Sequence, residues 1–471
     1  MQKSKLVQLL QSCNSTELVK LEDFIGSAYF NKDQQVILLF QYLKRFHPDF
    51  QAKAALSKAA VFSSIFPDQA YDDKQLRYLM SDLKKLIQRF FTIEKMEDHA
   101  YHPEIMLLDT LSERGLEKTY QRIDRLLEKK LGEGLENSSD LFYAQLKWAE
   151  VKEDHFQRKR LRQYNPNIQY AAQYLDRYYF LQRLKLTCAM LDRQSIFQNP
   201  YELHLTASWI QHLEKHNFFD EPIIRLYSTI FKALQNEQHE EHFTSLTAFM
   251  KDYAANIPRK ELADIHLFAI NYCARKIRQG KETYIAEALN LYRTGIESGV
   301  LIADGVLSPW AFTNVVKLSL RLKQYDQIES FIQQYAPLLP EAFRSNALHY
   351  NLAELYYYTQ RFVEAQQQLM EVTFSDMNYY LGARVLLAKI YYELDEEEPL
   401  LSLIASFTIF LKRNKELSNN LKQTYLNFCD ILFKIMRQNP RQMKQLATKI
   451  KSTKLLTDRA WLLSIYQEAT T

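Results

Sequence analysis

His212 and His216 stand four residues apart in the run His-Leu-Glu-Lys-His. On a helix this spacing puts both imidazoles on one face, at a separation that suits a metal ion. His239 and His242 bracket Glu240 and Glu241 in a second cluster. A zinc site needs a third ligand, and the metalloprotease form needs the order His-Glu-x-x-His; neither cluster supplies these. The ordinary reading is solvated histidines on polar helix faces, and no metal is expected. Glu393, Asp395, Glu396, Glu397 and Glu398 could collect a cation, but they lack the spaced oxygen ligands and central glycine of a calcium loop. They fit a turn between two helices, with Pro399 in the first turn of the second, where its missing N–H costs little.

Phosphate and nucleophilic chemistry find no foothold. The chain has no Gly-x-x-x-x-Gly-Lys-Ser/Thr loop, no Gly-x-Gly-x-x-Gly and no Gly-x-Ser-x-Gly elbow. Gly132 and Gly134 lie in Leu-Gly-Glu-Gly-Leu-Glu, with an acidic residue where a phosphate would approach. Cys13, Cys188, Cys273 and Cys429 are each more than eighty residues apart, include no Cys-x-x-Cys, and read as buried thiols of a reducing compartment. The expectation is a non-enzymatic chain with no catalytic residues and no cofactor.

Two patterns could meet a polyanion. Tyr170, Tyr174, Tyr178, Tyr179 and Phe180 interleave with Arg177 and Arg183, as in surfaces that stack unpaired bases. The same spacing also describes a half-buried helix face with hydroxyls at its rim. Between Leu411 and Arg459, twelve Lys and Arg oppose three Asp and Glu, although the whole chain carries only +4. Charged outer faces of helices vary this much without function, so nucleic acid stands as the second choice of partner. A helix near 57–66, a turn at Pro67 and a helix from Asp72 could form a helix-turn-helix presenting Lys74, Arg77, Lys84 and Lys85. Asp72, Asp73 and Asp82 on the same helix would repel phosphates, which favours a packing role.

Helices must position all of these residues. Only 9 of 471 residues are glycine and 12 are proline, where glycine alone usually makes up about 7%. That scarcity removes the positive-φ positions on which tight hairpins and phosphate loops depend. Apolar positions recur with helical period along the chain, so an all-α fold is predicted, with no sheet of more than two strands. Residues 1–98 read as an N-terminal helical domain, 99–220 as a long-helix region (helices at 139–163 and 168–191), 221–410 as helical repeats and 411–471 as basic C-terminal helices. The longest uncharged apolar stretch, 399–411, is too short to span a bilayer, and no signal peptide is legible. A soluble, cytoplasmic protein without membrane contact is expected.

The strongest local signal is an internal repeat. Leu352, Ala353, Tyr356, Phe362, Ala365 and Leu369 reappear thirty-five residues on as Leu387, Ala388, Tyr391, Glu397, Leu400 and Ile404. Thirty-seven residues back they read Val315, Val316, Ser319, Tyr325, Ile328 and Ile332, closing at Pro340. A small residue in the first helix lets the second cross closely, and an aromatic at the turn fills the gap between pairs. This pattern resembles tetratricopeptide repeats, with weaker copies at Leu246, Met250, Tyr253 and Pro258 and at Ala288 and Tyr292; 287–299 is also similar to a pentatricopeptide helix. The resemblance implies an α-α superhelix with a concave groove that binds a protein or peptide partner. Groove positions would include Trp310, Thr313, Lys317, Arg321, Tyr350, Glu354, Tyr357, Tyr358, Val385, Lys389 and Tyr392, with Tyr350, Tyr357, Tyr358 and Tyr392 partly exposed. The family's clamp for peptide C-terminal carboxylates uses Lys and Asn; here Lys317, Glu354 and Lys389 hold those positions, and the clamp is not implied. The run Phe24-Ile25-Gly26-Ser27-Ala28-Tyr29-Phe30-Asn31, with Ser81-Asp82-Leu83, is similar to a pattern in uncharacterised bacterial proteins and implies no activity.

Overall fold

The computed structural model describes residues 1–132, 138–160, 162–194, 201–203, 207–216, 218–235, 239–253, 257–373, 376–415, 417–437 and 440–470. The protein is 77% helical, with twenty-three α-helices and one two-stranded hairpin among the described residues. The all-α expectation holds. The chain divides into two compact units, Met1–Gln182 and Arg183–Thr471.

In the first unit, α1 (Lys5–Gln11), α2 (Ser15–Gly26), α3 (Gln34–Lys44), α4 (Lys58–Ile65) and α5 (Asp73–Glu97) share one core. Polar side chains set where these helices start. Asn14 and Glu17 form a reciprocal capping box on α2, the Ser57 hydroxyl accepts from Ala60 N, and Asp72 accepts from Lys74 N and Gln75 N. Leu76, Leu79, Leu83, Ile87 and Phe90 then face the core of α5 at helical spacing. A second core joins α6 (His102–Glu113), α7 (Glu117–Gly132) and α8 (Ser139–Arg158). The predicted 139–163 helix stops at Arg158. Arg160 turns to φ 53°, and the cationic end meets acids of neighbouring helices: Arg158 reaches Asp109 and Ser112 Oγ, and Lys159 reaches Glu117. The next helix, α9 (Asn167–Gln194), covers the predicted 168–191 and contains the division between the units.

The second unit continues through α10 (Ala207–Lys215), α11 (Pro222–Gln235), α12 (Glu241–Tyr253), α13 (Arg259–Arg278) and α14 (Thr283–Glu297). The hairpin follows, with Ile302–Ala303 (β1) pairing antiparallel to Val306–Leu307 (β2). Its two-residue turn, Asp304-Gly305, takes φ of 50° and 77°, the doubly left-handed geometry that favours Asp-Gly. Then come α15 (Pro309–Arg321), α16 (Ile328–Tyr335), α17 (Glu341–Tyr358), α18 (Phe362–Met370), α19 (Met377–Glu393), α20 (Glu397–Arg413), α21 (Asn419–Arg437), α22 (Pro440–Ser452) and α23 (Arg459–Glu468). From α15 to α21 each helix packs on the next, and α15, α17 and α19 also pack on one another in series. This arrangement is compatible with a helical repeat.

The turns carry the repeat most clearly. Gly280, Lys323, Gln360 and Asp395 all adopt left-handed φ. After each one, a backbone N–H reaches five residues back: Lys281 to Lys276, Gln324 to Ser319, Arg361 to Tyr356 and Glu396 to Tyr391, at 2.8 to 3.0 Å. This Schellman closure satisfies carbonyls that the helix end leaves bare. The last three turns fall thirty-seven and thirty-five residues apart, which is the sequence period. Ala353, Ala365 and Ala388 are buried at 0%, 0% and 3% exposure, as expected of crossing residues. All four cysteines are buried and unpaired.

Candidate functional site

Helices α15, α17, α19 and α21, with the segment leading into α23, enclose a cavity of about 410 Å³. Seven of the expected groove positions line it: Trp310, Thr313, Lys317, Tyr350, Glu354, Val385 and Lys389. Trp310, in the first turn of α15, is 63% exposed. Thr313 and Tyr379 share a 2.9 Å hydroxyl–hydroxyl bond, and Asn351 Nδ2 donates to Thr313 Oγ1. Gly382 on α19 permits the close approach of α17, because a Cβ there would meet the Tyr350 hydroxyl at 2.8 Å.

Tyr350, expected to be half-exposed, is buried. Its place between α17 and α19 leaves only the hydroxyl polar, and that hydroxyl donates to Glu354 Oε1 at 2.8 Å. Burial pushes the Tyr350 phenol well above its ordinary value. Burial also pushes the Glu354 carboxyl up, against the opposing pull of Lys317, the Tyr350 hydrogen bond and Lys389. Glu354 Oε2 is shielded from solvent and has no hydrogen-bond partner among the described residues. The Lys317 ammonium lies over the Tyr350 ring, 5.8 Å from its centroid, and forms no ion pair among those residues.

Lys389 is nearly buried, because its ammonium is committed to Asp458 at 3.0 Å. The Thr457 hydroxyl donates to the same carboxylate at 2.9 Å. Asp458 itself sits at φ 48° immediately before α23. Tyr357 and Tyr392 do not line the cavity but meet α23. The Tyr357 hydroxyl and Trp461 Nε1 both donate to Glu393 Oε1 at 3.2 Å, and the Trp461 ring stands edge-on to Tyr392. Both tyrosines are partly exposed, as expected, with Tyr392 packed on α23 directly and Tyr357 linked to it through Glu393. Tyr358 is 48% exposed, packed edge-on against Tyr357. Arg321 is exposed, 4.0 Å from Glu282. Sequence reasoning missed Tyr379, Gly382, Leu386, Tyr425, Thr457 and Asp458 in the lining. Tyr425 and Asp458 belong to a region that stood out only for its positive charge.

The other sequence candidates disperse. Lys434 and Lys449 both bond Asp430 at 2.7 Å, and Arg459 donates to the carbonyls of Ile450, Lys451 and Thr453 at the end of α22. Several cations of the basic block are thus spent within the fold. Around the proposed helix-turn-helix, Lys58 and Arg77 both pair with Asp73, and Lys85 pairs with Asp82. The His212 and His216 rings lie 4.3 Å apart on and just beyond α10, and the His239 and His242 rings 6.0 Å apart. No group of three metal-ligating side chains converges among the described residues. None of the described helices is long and apolar enough to cross a membrane.

Comparison of the chain with protein-family models, with curated proteins and with solved structures returns no match. The tetratricopeptide resemblance therefore rests on the spacing and turn geometry given above.

Proposed function

We propose that this protein is a non-enzymatic interaction scaffold that holds a protein or peptide segment against the face formed by α15, α17 and α19. The observation that carries this reading is the cavity between those helices, with Trp310 exposed at its mouth and Tyr358 exposed on α17. Rigid aromatics with a polar tip give much contact area for little lost rotamer freedom, which is why they anchor protein interfaces. The polar groups around them, Lys317, Glu354 and the Thr313–Tyr379 hydroxyl pair, supply orientation.

The test is the double variant Trp310→Ala, Tyr358→Ala. Trp310 is mostly and Tyr358 about half exposed, so the melting curve should stay close to that of the parent. Proteins that co-purify with the parent at stoichiometric level should fall at least about tenfold with the variant, a loss of about 1.4 kcal/mol. Unchanged co-purification would refute the assignment of this face.

A further inference from the structure

Among the described residues, the cavity lining holds one lysine without an ion pair and one carboxylate oxygen without a hydrogen-bond partner. Lys389 is neutralised by Asp458, and the Thr313 and Tyr379 hydroxyls satisfy each other. What remains, among the described residues, is the Lys317 ammonium, without an ion pair, and Glu354 Oε2, shielded and without a hydrogen-bond partner. Counted together, the two lysines and two carboxylates of the lining balance, and Lys317 and Glu354 feel each other's charge without forming a direct ion pair among the described residues. A ligand with only a positive charge would meet Glu354 but be repelled by Lys317. A ligand with only a negative charge would meet the reverse conflict, since like charges brought together out of water are disfavoured. A small zwitterion satisfies both at once. The remaining walls, Val385, Leu386, Tyr425 and Trp310, are apolar or aromatic, and a volume of about 410 Å³ lies within the range of small-molecule sites.

We propose that this cavity binds a free α-amino acid with an aromatic or branched apolar side chain, its ammonium held by Glu354 and its carboxylate by Lys317. The ammonium gives Glu354 Oε2 the donor it lacks, beside the Tyr350 hydroxyl already on Oε1. The apolar side chain lies against Val385 and Leu386, with Trp310 at the opening. The site stands on its own geometry and does not depend on the scaffold reading.

Isothermal titration of the full chain tests this with four probes: L-phenylalanine, L-leucine, phenethylamine (amine only) and 3-phenylpropionate (carboxylate only). At least one amino acid should bind with a Kd of about 1 mM or tighter, and both single-charge analogues should bind at least about tenfold more weakly. Glu354→Gln and Lys317→Met should each weaken the amino acid by at least about tenfold. The analogue series on the unaltered protein decides the matter even where a variant folds poorly. No heat from either amino acid at about 10 mM would overturn the proposal. So would an analogue that binds as tightly as the amino acid, or undiminished binding by a folded Glu354→Gln. Partner loss in the Trp310, Tyr358 variant together with amino-acid silence would overturn this proposal and leave the scaffold reading standing.

Discussion

Replacing Gln360 with glycine should stabilise the protein, and the same change one residue earlier should destabilise it. Gln360 holds φ at 59° in the turn after α17, with its side chain exposed. A left-handed backbone costs a residue with a Cβ roughly 1–2 kcal/mol. Glycine removes that cost but adds roughly 0.5–1 kcal/mol of unfolded-chain entropy. The net expectation for Gln360→Gly is a gain of about 0.5–1 kcal/mol. Thr359 has φ −97°, so glycine there brings only the entropic loss and removes the hydroxyl that bonds Leu355 O. Thr359→Gly should cost about 1 kcal/mol or more. Lys323 and Asp395 occupy the equivalent turns with φ of 56° and 58°. The triple variant Lys323→Gly, Gln360→Gly, Asp395→Gly should gain about 2 kcal/mol, because distant sites add. Urea unfolding followed by far-UV circular dichroism reads these differences as midpoint shifts. If Gln360→Gly and Thr359→Gly shift the midpoint in the same direction, the left-handed turns and the repeat register built on them are wrong.

Three further outcomes follow from the packing. Ala365 is fully buried on α18, so Ala365→Phe should overpack its contact with α17 and cost about 1–3 kcal/mol in the same urea assay. Trp461→Ala removes the ring that joins Glu393, Tyr392 and Lys389 to α23; because the ring is half-buried, a loss of about 2–3 kcal/mol is expected, below that of a core tryptophan. Burial raises the Glu354 carboxyl above its unfolded value of 4.5, so between those two values the folded state binds more protons and stability falls as pH rises. This penalty is absent below 4.5 and complete above the raised folded value; Glu354→Gln should therefore flatten the decline in urea midpoint between mildly acidic and neutral pH, and an unchanged slope would contradict the burial of that carboxyl.

Much of the fold was legible because helix signals are local. Asp72, Ser57 and the spacing of Leu76 through Phe90 mark their helices without help from tertiary structure. The thirty-five- and thirty-seven-residue periods at Ala353 and Tyr356 were visible for the same reason, since each repeat must solve one crossing and one turn. The Asp304-Gly305 hairpin carried a readable turn signal that the low overall glycine content obscured. The site was legible only on one side. Trp310, Lys317 and Glu354 follow from repeat register, but Asp458, Thr457 and Trp461 reach the cavity or its flank from the end of the chain. No local pattern announces that a segment about seventy residues beyond Lys389 supplies its counter-ion. Tyr350 shows the same limit: register placed it on the right face, but its burial depends on Gly382 of the neighbouring helix.

The central claim is that the face around Trp310 is where a partner sits. A photo-crosslinking amino acid placed at position 310, and in a second variant at position 358, tests it within the native cell. Position 363 is the control, because Val363 is 55% exposed on α18 and does not border the cavity. The account predicts one shared crosslinked protein species from 310 and 358 and none from 363. Equal labelling from all three positions, or no product from 310, would contradict it.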